Sequence, residues 1–240
     1  MPGTQYVALS ALRSRLDELD RLAADIANVG TAGYKGQRGA QGAADRPSFG
    51  DELQTAIDTV ATGTKIDFTP GMLAPTGRSL DVAIDGPGFF VVETDKGTRY
   101  TRDGHFSRTA AGTLATGDGA VVQGADGPLT IGPGEIRIEE NGTVYAGSTK
   151  AGRLAVVMFD DPNKLSRDHG AMLRNDVGLT PTPVAQPTVR AGSLEGSNVS
   201  VAERLAQLTD VSRSFEALQK SISMILNEVD GRSIEMLGRR

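Results

Sequence analysis

Apolar residues recur with the period of a helix at the two ends of the chain and with the period of a strand between them. Near the C-terminus Val201, Leu208, Phe215, Ile222, Val229 and Met236 fall on every seventh position, and Val211, Leu218 and Ile225 follow three residues after Leu208, Phe215 and Ile222. This a/d seam extends over roughly five heptads, more than the three to four that mark a coiled coil. At the other end Leu9, Leu12, Leu16, Leu19, Ala23 and Ile26 alternate in steps of three and four. The pattern predicts a helix over 4–29 that stops at Val29-Gly30, where glycine suits a left-handed closing position. A second helix is predicted from Ser200, an N-cap with Glu203 as its capping-box partner. Two such stripes ask for burial against each other or against other copies of the chain. The C-terminal seam alone would run about 50 Å at ~1.5 Å per residue, more than a small domain covers.

From Lys65 to about Phe159 the period falls to two. Leu80, Val82 and Ile84 alternate with Asp81, Ala83 and Asp85, and Phe89-Phe90-Val91-Val92 reads as a buried strand. Asp103-Gly104, Asp118-Gly119, Asp126-Gly127 and Asn141-Gly142 punctuate the segment as type I′ turn signals. The strongest hairpin signal is Asn141-Gly142, between Ile136–Ile138 and Val144-Tyr145. The expected fold class is therefore mainly β with α termini: a small antiparallel β barrel or sandwich flanked by N- and C-terminal coiled-coil helices. The predicted division is helix 1–30, Gly-rich extended linker 31–64, β domain 65–160, irregular proline-containing return 161–199, and helix 200–240. Within the linker, Asp51 to Val60 is expected to form a short helix.

Composition narrows the function classes. Aromatic content is 5% with no Trp, which is thin for one large core. A net charge of −5 without a basic stripe argues against nucleic acid and anionic membrane surfaces as partners. No apolar run reaches the roughly 18 residues needed to span a bilayer, so direct membrane insertion is not expected. The absence of cysteine excludes disulfides and thiolate metal sites. Charged residues run through the first 30 positions and leave no signal-peptide core. The expectation is a cytoplasmic chain, or one exported without a cleaved signal.

The sequence offers no catalytic, cofactor-binding or metal-binding set. His105 and His169 are expected to be loop histidines, with no nucleophile motif beside them. Gly86-Pro87-Gly88 and Gly117-Asp118-Gly119 complete no phosphate-loop pattern. The Asp-Gly repeats lack the alternating acidic ligands of a calcium loop. Asp81, Asp85 and Asp95 are expected to be solvated.

Four stretches carry a resemblance. Asp25 to Lys35 matches a signature of the form N-L-A-N followed by T-x-G-Y/F-K, with Asn28, Thr31, Gly33, Tyr34 and Lys35 on it and Asp25 departing from the usual Asn. Asp67 to Gly71 is the second, and Thr76 to Val92 with Tyr100 to Gly104 the third. Leu194 to Val199, with Ser212 to Glu216 beyond it, is the fourth. In this order they resemble the flagellar rod and hook axial proteins. The resemblance implies a structural subunit of the bacterial flagellar basal-body rod, of the proximal rod, with the distal rod as the alternative. It is not expected to be an enzyme.

The resemblance further implies end helices that form the inner coiled-coil layer of a hollow tube, and an outer β domain. Expected partners are other rod subunits, proximal and distal, copies of the chain itself, and the flagellar type III export apparatus. The expected assembly interface comprises Leu9, Leu12, Leu16, Leu19, Ile26, Asn28, Gly33, Tyr34, Val201, Leu208, Phe215, Ile222 and Val229, with Tyr34 as an apolar anchor. From another class, a surface binding module on a coiled-coil stalk is the alternative, although a stalk needs one continuous coil.

Overall fold

Both end helices form where the heptads place them. The computed structural model describes residues 2–39 and 64–237, with the side chains of 9–39 and 64–224. Helix α1 spans Pro2–Ala27 and α2 spans Val201–Leu237. Pro2 opens α1 at a position where its missing N–H costs nothing. The α1 helix ends in a turn in which Thr31 N donates to Asn28 O at 3.0 Å. The left-handed glycine is Gly33, φ +66°, and not Gly30 as the sequence suggested. Ser200 caps α2 through a long contact from Glu203 N to its hydroxyl, 3.5 Å. The expected helix at Asp51–Val60 and most of the 31–64 linker lie outside the described residues.

Strands fill the region between. β1 (Gln37–Gly39) and β2 (Thr64–Ile66) pair with each other. Then come β3 (Leu73–Pro75), β4 (Val82–Ile84), β5 (Phe89–Thr94), β6 (Gly97–Thr101), β7 (Phe106–Arg108), β8 (Leu114–Thr116), β9 (Val121–Gly124) and β10 (Gly127–Pro128). β11 (Ile136–Ile138), β12 (Thr143–Ala146), β13 (Thr149–Arg153) and β14 (Val156–Met158) follow. The last are β15 (Ser166–Arg167), β16 (Met172–Arg174), β17 (Thr182–Pro183), β18 (Val189–Ala191) and β19 (Ser193–Glu195). The main sheet runs β15-β16-β6-β5-β9-β8-β7, with β10 on β9 and β14 joining β5 to β17. Among the described residues this sheet is open and does not close into a barrel. β11-β12-β13 form a second sheet, and β18-β4 and β19-β3 are two-stranded ladders.

Residues 161–199, expected to be irregular, contribute β15 to β19. β18 pairs with β4 and β19 with β3, so the polar segment returns to strands some hundred residues earlier. Each of these strands is only two or three residues long, too short to show a period of two.

The core is two-sided. Phe90 and Val92 enter a cluster with Val82, Phe106, Leu114 and Val122, all fully buried. Phe89 faces the other side and joins Tyr100, Val157, Phe159 and Leu173. The rings meet edge-on, Phe90 to Phe106 at 5.1 Å and Tyr100 to Phe159 at 4.8 Å, the arrangement that aromatic quadrupoles favour. Each such side chain contributes about 1.5–3 kcal/mol by leaving water. Around β4 the expected alternation gives way to burial on both faces: Ala83 is as buried as Val82. Asp81, expected to be solvated, is 3% exposed. Arg78 and His105 flank its carboxylate, each at 3.0 Å, and supply the compensation that burial requires.

The Asn141-Gly142 hairpin forms with Ile138 opposite Val144. Its turn is not type I′. Glu139 N donates to Thr143 O and Gly142 N to Glu139 O, both at 2.9 Å, with Gly142 at φ +79°. Among the described residues no residue other than glycine takes a positive φ, which type I′ would demand of Asn141. The loop is a type I turn closed by a glycine bulge. Asp118-Gly119 uses the same device between Thr116 and Ala120.

The described residues divide into two compact units. The helical unit holds 2–26, 37–39, 64–65 and 200–237, and the β unit holds 27–36 and 66–199.

Candidate functional site

In the β unit the residues of the four signature stretches converge on Glu195. Its backbone is fixed by pairing with Leu73 in the β19-β3 ladder, and its side chain is 1% exposed. Lys35 Nζ donates to Glu195 Oε1, and Arg102 Nη1 reaches Oε2 at 3.2 Å. Gly71 N donates to Oε1 at 2.9 Å. Lys35 also donates to Thr69 O at 2.9 Å, and Arg102 Nη2 to Gly86 O at 2.8 Å. Burial pushes the Lys35 ammonium below its ordinary range, against the opposing pull of Glu195. Burial also lowers Arg102 and raises the neighbouring Asp103 carboxyl. Two cations share one carboxylate, so Glu195 is the member whose loss would leave buried charge uncompensated.

The backbone of residues 33–36 is held by the same neighbourhood. Gly33 N donates to Glu195 O at 2.7 Å, Gly36 N to Asn198 Oδ1 at 2.7 Å, and Asp67 N to Gly36 O at 2.8 Å. Tyr34 is 1% exposed, beneath the Arg167 guanidinium at 4.1 Å from its ring centroid. Gly33 is required by its positive φ and because a Cβ there would collide with the Arg102–Asp103 backbone. Gly33 and Tyr34 are thus engaged with their own chain. Asn28 is half-buried, and its Oδ1 accepts from the Thr31 hydroxyl at 3.2 Å.

In the helical unit, α1 buries Leu22 and Asp25 completely, whereas Leu9 and Leu16 are 65% and 46% exposed. Leu12, Leu19 and Ile26 are half-buried, and Ala23 is exposed. On α2 the buried positions among the described side chains are Arg204 and Val211. Val201 is 40% exposed, while Leu208, Phe215 and Ile222 are half-buried. The Val229 side chain lies outside the described residues. The sequence reading missed Asp25 and Arg204, whose side chains form a salt bridge at 3.0 Å between α1 and α2. Gln37 reinforces it: its N–H donates to Asp25, and its carbonyl accepts from Arg21 at 2.7 Å. The only advance signal was that Asp25 breaks the signature pattern.

Among the described residues no group of His, Asp and Glu is placed to hold a metal ion. His105 and His169 are both more than half exposed, and each faces an aspartate.

Two family models match: the flagellar hook protein FlgE/F/G D1 domain over residues 83–146, and the flagellar basal body rod FlgEFG protein C-terminal region over 190–225. The chain is 33% identical over 181 residues to the flagellar basal-body rod protein FlgF of Caulobacter vibrioides, covering 74% of each chain. The chain belongs to the flagellar basal-body rod protein family. Against the Escherichia coli rod protein FlgF it is 33% identical over 205 residues, 80% of this chain and 81% of the other. The rod protein FlgG of Bacillus subtilis matches at 29% over 163 residues, 62% of each. The chain is therefore a structural subunit of the flagellar basal-body rod, most like the FlgF rod proteins. The matched rod C-terminal region contains Glu195, Asn198 and Arg204, three residues that organise the two units. No helix among the described residues is long and apolar enough to cross a membrane.

Proposed function

We propose that this rod subunit is of the proximal, FlgF type, and that α1 and α2 assemble into the inner coiled-coil layer of a hollow shaft with the β unit outside. The observation that carries the reading is the incomplete burial of both helices. Leu9, Leu16, Val201, Leu205 and Met224 are 65%, 46%, 40%, 48% and 56% exposed. Helices with so much uncovered apolar surface are marginal alone in water. Each such residue buried by a neighbour contributes about 1.5–3 kcal/mol, less the cost of ordering it. The helices therefore gain their full stability where proximal and distal rod subunits, and further copies of the chain, cover them. The FlgF assignment is supported by identities of 30–33% to relatives named FlgF against 28–29% to those named FlgG.

In this reading the flagellar export apparatus delivers the chain unfolded and without a cleaved signal peptide. The subunit uses no cofactor, performs no catalysis, binds no nucleic acid and does not insert into the membrane. Purified full-length chain and a form lacking residues 1–29 would each be mixed with the neighbouring rod subunit and followed by sedimentation. The full-length chain is expected to co-sediment and the shortened one to remain in solution. Equal co-sedimentation would remove α1 from the interface and overturn the reading.

A further inference from the structure

We propose that residues 33–36 are a strap that closes onto the β unit only when residues 194–198 are already in place, with Glu195 as its lock. This stands independently of how the helices assemble. The strap draws much of its polar satisfaction from 194–198. Gly33 N donates to Glu195 O, Gly36 N to Asn198 Oδ1, and Tyr34 O accepts from Asn198 N at 3.4 Å. The Lys35 ammonium donates to the Glu195 carboxylate. Without 194–198, two backbone N–H groups and one buried ammonium lose these partners, a cost that closure would have to overcome.

The dependence does not run equally the other way. Residues 194–196 are fastened by contacts that do not involve the strap. Leu194 pairs with Ala74 and Glu195 with Leu73, and Gly196 N donates to Met72 O at 2.8 Å. Asn198 Nδ2 donates to Asp67 O at 2.8 Å. With the strap open, Glu195 still holds Arg102 and the Gly71 N–H. The strap follows α1 after the turn at 28–32, and residues 199–200 join 194–198 to α2. In a chain made from its N-terminus, the root of the first helix stays open until residue 198 has emerged. The two segments that lead out to α1 and α2 in sequence then become fixed in the β unit together.

Amide hydrogen exchange on the full chain tests this. In Glu195→Gln and in Asn198→Ala, the amides of Gly33 and Gly36 should exchange roughly tenfold faster or more, as expected when a sub-global segment opens. Val92 and Val122 in the core, and Gly196, should stay protected. Gly33→Val forces the strap open by collision with the Arg102–Asp103 backbone. It should expose the Gly36 amide while Leu194 and Gly196 keep their protection. Strap amides as slow as wild type in both Glu195→Gln and Asn198→Ala would overturn the proposal. Loss of protection at Leu194 and Gly196 in Gly33→Val, or its failure to fold, would overturn it as well. Should Glu195→Gln not fold, Asn198→Ala decides alone, because it leaves no buried charge unpaired.

Discussion

The Asp25 carboxylate and the Arg204 guanidinium lie 3.0 Å apart, with Asp25 fully buried and Arg204 9% exposed. The pair joins α1 to α2 at the ends nearest the β unit in sequence. Removing one member leaves the other charged and out of water, which costs about 3–5 kcal/mol. Asp25→Asn and Arg204→Gln should each lower the denaturant midpoint of the helical circular dichroism signal. The double variant should lose less than the sum of the two, because no uncompensated charge remains. Strict additivity would mean that the two side chains are not coupled.

Arg99 Nε contacts the Asp168 carboxylate at 2.6 Å, and that hydrogen bond holds the carboxyl below its ordinary range. A carboxylate whose folded pKa is depressed contributes stability that is present above its unfolded pKa, near 3.8, and lost as pH falls through the folded value. Asp168→Asn should therefore be less stable than wild type by roughly 1 kcal/mol at neutral pH. The two melting curves should converge under acid, below the wild-type carboxyl's own titration. A constant offset at every pH would assign the effect to packing instead.

Gly104 and Gly117 separate sterics from conformation, since neither takes a positive φ. A Cβ at Gly104 would collide with the Val82 carbonyl, while nothing lies within 4 Å of one at Gly117. Gly104→Ala should cost about 1–3 kcal/mol or more through forced backbone movement. Gly117→Ala should be neutral or stabilising by up to roughly 1 kcal/mol, through loss of unfolded-state freedom. Thermal melts of the two variants check this, and equal effects would contradict the packing described around β4.

A fragment of residues 66–199 should fold alone, with β-type circular dichroism and a cooperative melt, whereas 65–160 should not. The shorter piece corresponds to the β domain expected from the sequence. It lacks β18, whose Val189 is fully buried opposite Ile84, and β16, whose Met172 and Leu173 lie in the two core clusters. Losing side chains of this size costs several kcal/mol together, comparable with the whole stability of a small domain. Cooperative folding of 65–160 would show that the later strands are accessory.

The same strands mark where the sequence stopped being legible. Long heptads announced α1 and α2, and a glycine turn between apolar runs announced the β11-β12 hairpin, because these signals are local and repeated. β15 to β19 are two or three residues each, interrupted by Pro181, Pro183 and Pro187, and only their distant partners make them strands. The candidate site fails to show for a related reason. Lys35 and Glu195 are 160 residues apart in sequence, and a charge carries no mark of the partner it will meet. The signature stretches were recognisable as patterns, but not the reason for them, which is that they hold one another. In α1 the spacing pointed to Ala23, yet the helix buries Leu22 and Asp25, because a charged residue at 25 is counted as solvated until Arg204 is seen beside it.

Ile222→Asp probes the assembly itself. Ile222 is half-buried in the described chain, so an aspartate there can keep its carboxylate hydrated in the monomer. The β unit, which contains none of α2, should melt as in wild type. If α2 enters a coiled-coil layer, position 222 is an a-type knob enclosed by neighbouring helices. An unpaired carboxylate buried there costs several kcal/mol per subunit, repeated around the shaft. Cells carrying Ile222→Asp should be non-motile, while purified protein retains its β-type circular dichroism. Ile222→Val, which keeps an apolar knob and removes one methylene at about 0.5–1.5 kcal/mol, should swim. Motile Ile222→Asp cells would place this face of α2 in solvent within the rod, and the coiled-coil layer would have to be built without it.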